Sequence, residues 1–257
     1  MAEPLSLVVT TLNNASTLER CLLSAAFAQE SLVLDSYSED ASTEIAVELG
    51  ARVKQQAFAG YGPQKQCAIS MAKNDWVLLL DADEELSPEL AEEIKSVLKT
   101  GPTVSGYRLL RAEWLGWRWP ARGTRLTDHL RLFDRRHIKM GEHPVHAAPE
   151  LDGPTITLKA RLLHHGEINL HARLDRINRY TTGSIPIKLA RKTHFARTKM
   201  LLYPGFAFFR EYIIRRHFLN GWAGFIAARC AAIHAFVKYA KVYEATRIAS
   251  SSSRKTE

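Results

Sequence analysis

Two carboxylates at i and i+2, Asp81 and Asp83, stand directly behind the apolar run Trp76-Val77-Leu78-Leu79-Leu80. At the end of a buried strand, where the chain turns, this spacing lets both converge on one hard cation. Oxygen ligands favour Mg²⁺ or Mn²⁺, which bridge a diphosphate. An isolated Asp-x-Asp is common by chance and equally describes a turn with a capping Asp. Its surroundings add weight. Asp35 closes a second apolar run, Leu32-Val33-Leu34, and a carboxylate there accepts a hydrogen bond from a base imino N–H such as uracil offers. Thr10, Thr11 and Asn13 end a third run that begins at Leu5, and supply donors beside a nucleotide. Lys65 opens a helix after Gly60-Tyr61-Gly62-Pro63, where a cation meets a pyrophosphate. Neither GxGxxG nor a P-loop follows the first run, so dinucleotide and NTPase readings lose support. Glu84 and Glu85 extend the acidic cluster, a placement that the N-terminus of the next helix also favours.

These groups need strands to end where they stand. Leu5 to Thr10, Leu32 to Asp35, Ala51 to Val53 and Trp76 to Leu80 read as short apolar or β-branched strands. Between them, Ala15 to Phe27, Thr43 to Leu49 and Pro63 to Lys73 read as helices, and Ser87-Pro88 caps a fourth that runs to Leu98. Alternating β and α elements imply a mostly parallel sheet flanked by helices, an α/β fold of Rossmann-like type. In such sheets ligands bind beyond the carboxyl ends of the strands, where Thr10, Thr11, Asp35, Asp81 and Asp83 all stand. After residue 103 the pattern changes. Strands are predicted over 104–110, 129–133 and 155–164, with the aromatic, basic loop Trp114 to Pro120 between the first two, and helices from 169 onward. The division that follows is 1–100, an alternating β-α half; 101–168, a second half of strands and loops; 169–249, a basic helical extension; and 250–257, a polar, disordered tail.

At 257 residues, 46% apolar and 24% charged, the chain is neither wholly disordered nor a small disulfide module. Cys21, Cys67 and Cys230 lie far apart with no CxxC, which argues against a disulfide scaffold or a zinc ribbon and predicts reduced thiols. Residues 1–100 hold 7 Lys and Arg against 16 Asp and Glu, whereas residues 101–257 hold 28 against 11. The basic part suits an anionic partner. The N-terminus has no basic signal-peptide region, and the nearest candidate for a membrane span, Phe218 to Val237, contains Asn220, Arg229 and His234, so it reads as a buried or interfacial helix.

Together, Thr11-Leu12-Asn13-Asn14, Asp35-Ser36-Tyr37-Ser38-Glu39-Asp40 and Asp81-Ala82-Asp83-Glu84 resemble the signature segments of glycosyltransferase family 2 with its GT-A fold. Within that family, Trp76 to Glu84, His129-Leu130-Arg131-Leu132-Phe133, Val145-His146 and Lys238-Tyr239-Ala240-Lys241 are similar to bacterial lipopolysaccharide core glucosyltransferases. Two positions depart from the family pattern. Asn14 stands where the family has Glu, and Tyr37 where it has Gly, which puts the conformation of that turn in question.

The resemblance implies a nucleotide-sugar donor, a UDP-sugar, and a divalent metal. Asp35 would read the base, and Asp81 and Asp83 would hold the metal and the ribose-phosphate. Inverting transfer also needs a general base from the second half. The carboxylates there are Glu113, Asp128, Asp134, Glu142, Glu150, Asp152 and Glu167, of which Asp128, three residues before Arg131, leads and Glu113 follows. Arg131 faces diphosphate or acceptor phosphate, or serves an internal salt bridge. His146, His164 or His165 is a candidate to complete a metal shell, as a His does in some GT-A enzymes. Trp114, Trp117 and Trp119 are placed to stack on sugars or to pack a lid loop. From Leu201 onward, Arg and Lys among aromatic residues suit an anionic membrane face or the outer side of packed helices. The implied acceptor is a cell-envelope glycolipid or phosphorylated saccharide, and the implied location is peripheral, on the cytosolic face of the inner membrane, with no nucleic acid partner. A sugar-phosphate nucleotidyltransferase and a basic nucleic-acid-binding protein are the alternatives.

Overall fold

The computed structural model describes residues 2–140, 149–166, 169–190 and 195–253. The chain forms two compact units, Met1–Glu113 with Leu126–Gly166, and Trp114–Arg125 with Glu167–Glu257.

The first unit is built on an eight-stranded sheet. Its strands are β1 (Leu5–Thr11), β2 (Glu30–Asp35), β3 (Arg52–Gln55), β4 (Trp76–Asp81), β5 (Glu84–Leu86), β6 (Gly106–Glu113), β7 (Thr127–Asp134) and β10 (Thr155–His164). The spatial order is β3-β2-β1-β4-β7-β6-β10-β5. The first four strands run parallel, as the alternating pattern requires. The sheet as a whole is mixed: four of its seven pairings are parallel, β6 with β10 among them, and three are antiparallel. β7 is antiparallel to both β4 and β6, and β5 is antiparallel to β10. The physical reason lies in the connections. Parallel neighbours need a crossover, usually a helix, and none separates β6 from β7. A small hairpin, β8 (Ile138–Met140) with β9 (Pro149–Leu151), completes the strands.

Both faces of the sheet are covered. On one side Leu7, Val9, Leu78, Leu80, Leu109 and Leu132 pack with α1 (Ala15–Ser24) and α4 (Pro88–Thr100) through Leu18, Leu22, Leu90 and Ile94. On the other, Val8, Leu79, Leu130 and Phe133 meet Ala68 and Ile69 of α3 (Tyr61–Ser70). α2 (Ser42–Glu48) follows β2. Burial on both faces explains why β1 and β4 are apolar at nearly every position. The Ser87 side chain caps α4, accepting from the Leu90 N–H at 3.2 Å, with Pro88 in the first turn.

The second unit is helical: α5 (Leu170–Gly183), α6 (Ile185–Ala190), α7 (Ala196–Phe209), a π-helical turn at Arg210–Ile214, a 3₁₀ turn at His217–Asn220, and α8 (Gly221–Ser253). Where the sequence reads a tail from residue 250, α8 continues to Ser253. Lys241 of α8 donates to Asn178 Oδ1 at 2.6 Å and Thr182 Oγ1 at 2.7 Å near the C-terminal end of α5. This is where a cation best serves unpaired carbonyls and the helix dipole. Segment 114–125 belongs to this unit. Asn220 accepts from the Ala121 N–H at 2.7 Å and donates to Thr124 Oγ1 at 3.1 Å, while the Arg125 N–H donates to the Arg215 carbonyl. Among the described residues no helix is long and apolar enough to cross a membrane.

Candidate functional site

The loops after β1 and β2 form one hydrogen-bonded block. Asn13 N–H donates to Ser38 Oγ at 2.8 Å, Asn13 Oδ1 accepts from the Glu39 N–H at 2.8 Å, and Asp40 accepts from the Ala15 N–H at 3.0 Å. Asn14 accepts from Thr11 Oγ1 at 3.2 Å, an interaction that a neutral side chain satisfies without a carboxylate. Asp35 is fully enclosed at the end of β2. One of its oxygens takes the Ser38 hydroxyl at 2.5 Å, and the other takes the Ser38 N–H at 3.0 Å and the Gln55 amide at 3.1 Å. Tyr37 sits at φ +64°, in the left-handed region that favours glycine. Thr10, half-buried, and Thr11, buried, close β1.

At the end of β4, Asp81 is the anchor of a charge network. Its Oδ1 lies 2.5 Å from Lys65 Nζ, delivered by α3, and its Oδ2 lies 2.6 Å from Arg131 Nη2. Burial alone would raise the Asp81 pKa, but Arg131 and Lys65 outweigh it and hold the carboxyl far below the usual range. Arg131 reaches there from a bulge. Tyr107 pairs with Leu132 and Arg108 with Leu130, which leaves Arg131 as the extra residue on β7. Bulges commonly re-aim a side chain beside a site. The same Arg131 Nη2 lies 2.6 Å from Glu84, whose carboxylate also takes Arg111 at 3.3 Å and the Asp81 N–H at 3.0 Å. Glu84 has no exposed surface. It is therefore the buried counter-ion that fixes the acidic turn, a larger part than its sequence position suggested.

Asp83 turns the other way, to the end of β10. Its Oδ2 lies 3.1 Å from His164 Nε2, and the far ring nitrogen, Nδ1, is hydrogen-bonded to Glu113 Oε2. Burial would lower the His164 pKa, but hydrogen bonds to Asp83 and Glu113 and their charges push it up to about 10. Arg111 Nε closes the arc 2.8 Å from Glu113. His165 pairs with Glu85 at 2.8 Å, and its N–H donates to the Asp83 carbonyl.

The structure thus brings Lys65, Asp81, Asp83, Glu113, Arg131 and His164 together in one chain of contacts. It does not bring Asp128 there. Asp128 shares a face of β7 with Leu130 and pairs with Arg108 at 3.2 Å, and hydrogen bonding from Arg108 holds its carboxyl below the ordinary range. Asp134 is taken by Arg136 at 2.6 Å, and Glu150 and Asp152 lie on or beside the β8–β9 hairpin. Glu142, His146 and Glu167 lie outside the described residues. Trp114 and Trp119 pack edge-to-face at 4.9 Å, whereas Trp117 is exposed. Cys21, Cys67 and Cys230 form no disulfide.

The sequence profile of glycosyl transferase family 2 matches residues 6–148, more than half of the chain and the whole of the parallel β-α core. The chain belongs to that family. This glycosyltransferase is similar along nearly its full length to the lipopolysaccharide core biosynthesis glycosyltransferase LpsC of Rhizobium meliloti, with 26% identity over 94% of this chain and 92% of that one. An uncharacterized glycosyltransferase of Rickettsia bellii is 28% identical over 95% of this chain and 87% of that one. Among solved structures, glucosyl-3-phosphoglycerate synthase from Mycobacterium tuberculosis, in complex with Mn²⁺, uridine-diphosphate and glucosyl-3-phosphoglycerate, is similar with 24% identity. That match covers 42% of this chain and 44% of the other, with a TM-score of 0.38. As a glycosyltransferase, the chain is neither a nucleotidyltransferase nor a non-enzymatic binding protein.

Proposed function

We propose that this glycosyltransferase moves a sugar from a UDP-sugar, with a divalent cation, to a cell-envelope glycolipid or phosphorylated saccharide at an anionic membrane surface. The observation that carries the donor half of this reading is the meeting of Asp81, Asp83, Lys65, Arg131 and His164 at the end of β4.

Asp83 and His164 are the residues that would hold the cation, which would take the place of the proton between His164 Nε2 and Asp83. Their donor atoms are a carboxylate oxygen and a ring nitrogen 3.1 Å apart. Among the described residues no group of three His, Cys, Asp or Glu is arranged to hold a metal. A Mn²⁺ or Mg²⁺ ion bound there would fill its remaining positions with phosphate oxygens and water. Such an ion neutralises charge on a leaving diphosphate. Glu113, on the far nitrogen of His164, fixes the ring in the manner of carboxylate–histidine–metal arrangements. Asp81 holds Lys65 and Arg131 side by side, so two cations are preset for an anionic donor. Asp35 would read the base by exchanging the Gln55 amide for the imino group. LpsC, named for lipopolysaccharide core synthesis, supports the glycolipid side of the reading.

Asp128 and Glu113 remain the two candidates for the general base, and kinetics separate them. Loss of a base lowers kcat and spares donor affinity, whereas loss of an orienting group weakens donor and metal binding. The test is UDP release from UDP-glucose with Mn²⁺, before and after chelation. Activity should vanish with the metal and in Asp83→Asn. Full activity in either case overturns the donor-site reading. Asp128→Asn is expected to lower kcat about 100-fold or more if it is the base, and Glu113→Gln to raise the Mn²⁺ requirement.

A further inference from the structure

α7 is apolar on more than one side. One side packs on α8: Tyr203 meets Tyr239 edge-to-face at 5.2 Å, and Phe208 meets Phe225 at 5.7 Å. A surface helix normally turns polar residues outward. Here Leu202, Phe206 and Phe209, at i, i+4 and i+7, are 64%, 60% and 51% exposed, and Ile213 in the π-helical turn that follows is 45% exposed. Trp222, at the start of α8, is 75% exposed. Beside this stripe a cavity of about 310 Å³ is lined by Pro204, Gly205, Phe208, Ile233 and Phe236, with Arg229 as its charged member.

Charge decides what covers this face. Residues 169–257 carry 17 Lys and Arg against 4 Asp and Glu. Glu211, the acid nearest the stripe, is buried and already held by Arg210 at 2.9 Å and Arg215 at 3.2 Å. A second copy would set like charges against like, and a nucleic acid offers nothing to bare Leu, Phe and Ile. An anionic bilayer satisfies both halves, with acyl chains for the stripe and phosphates for the cations.

We propose that Leu202, Phe206, Phe209 and Ile213 form a membrane-insertion face that enters one leaflet of an anionic bilayer, with an acyl chain filling the adjacent cavity and Arg229 meeting a lipid phosphate. This deepens the membrane part of the function proposed above and rests on it. The face lies in the plane of the interface and does not span it.

Insertion differs from electrostatic docking in its response to salt. The test is co-sedimentation of the full chain with phosphatidylcholine vesicles and with vesicles containing about 30% phosphatidylglycerol, at about 0.1 M and 1 M NaCl, where the screening length shrinks from about 10 to 3 Å. Binding to the anionic vesicles should weaken but persist at the higher salt, and Trp222 fluorescence should shift to the blue. The exposed triple variant Leu202→Ser/Phe206→Ser/Phe209→Ser should bind at least about thirtyfold less tightly while melting as the wild type does. Complete release at high salt, or unchanged binding by the triple variant, overturns the proposal. So does a concentration-dependent dimer that the triple variant abolishes, since that makes a second copy the occupant. Vesicle-free UDP release, measured in parallel, separates the failures. UDP release without vesicle binding sinks the insertion face alone, whereas its absence sinks the donor-site reading whatever the vesicles show.

Discussion

Replacing Glu84 by Gln removes one charge from the interior and leaves the volume almost unchanged. The wild-type carboxylate has no exposed surface and accepts from three donors: Arg131 at 2.6 Å, Arg111 at 3.3 Å and the Asp81 N–H at 3.0 Å. An amide has one accepting end. Whichever way it turns, its NH₂ faces either the Asp81 N–H or the two guanidiniums. Breaking a buried ion pair by removing one partner costs about 3–5 kcal/mol. Arg131 keeps Asp81, so the lower end applies, about 3 kcal/mol. For a domain of this size that lowers Tm by about 6–12 °C. Calorimetry or near-UV circular dichroism reads the change directly. Glu85→Gln is the matched control. Its side chain is partly exposed and pairs with His165 at 2.8 Å, so it should cost less than about 1 kcal/mol. A Glu84→Gln protein that melts within about 2 °C of wild type would refute the idea that Glu84 is the counter-ion on which the acidic turn depends.

Two further outcomes follow from groups away from the charge network. Glu30 is almost fully buried and is held by Arg52, Ser6 Oγ and the Lys73 N–H, each at 2.6 Å. Burial would raise its pKa, but the hydrogen bonds from Ser6, Lys73 and Arg52 lower it on balance. Its contribution to stability is therefore present above about pH 4.3 and is lost as pH falls through the depressed folded value. Glu30→Gln should be less stable by about 2 kcal/mol at pH 7, and its melting curve should converge on the wild type below about pH 4; a gap that stays constant from pH 7 to 3 contradicts the linkage. Tyr37→Gly should stabilise the protein by about 0.5–1 kcal/mol, because relief of a left-handed Tyr exceeds the entropy that Gly adds to the unfolded chain; a loss of stability would show that the exposed ring makes contacts of its own.

The first hundred residues were legible because their signals are local. Apolar runs of strand length, Ser87-Pro88 and Gly50 place strands and helices within a few residues of where they lie. β5 was missed because Glu84-Glu85-Leu86 has no strand pattern, and Glu84 is buried only through the two arginines that meet it. The place of Asp81 and Asp83 at the end of β4 is readable from the apolar run before them. Their partners are not, because Arg131 arrives through a bulge and His164 from a strand 81 residues further on. The spacing of Asp128 to Arg131 does not show where each points, since Arg131 is the bulged residue and leaves the face that regular alternation would give it. Tyr37 occupies a left-handed conformation that favours glycine, and the Asn13–Ser38 and Asp35–Ser38 bonds hold the loop there.

The bonds from Asn220 to Ala121 and Thr124 carry a lesson for recombination among relatives. Segment 114–125 is encoded inside the sheet-forming stretch yet is moored to the helices, so the helical module is split in two along the gene. A chimera that imports only the C-terminal helices from a relative strands a loop whose anchor has been exchanged. One that carries both pieces keeps the mooring intact, and inherited changes in the two stretches should travel as a pair.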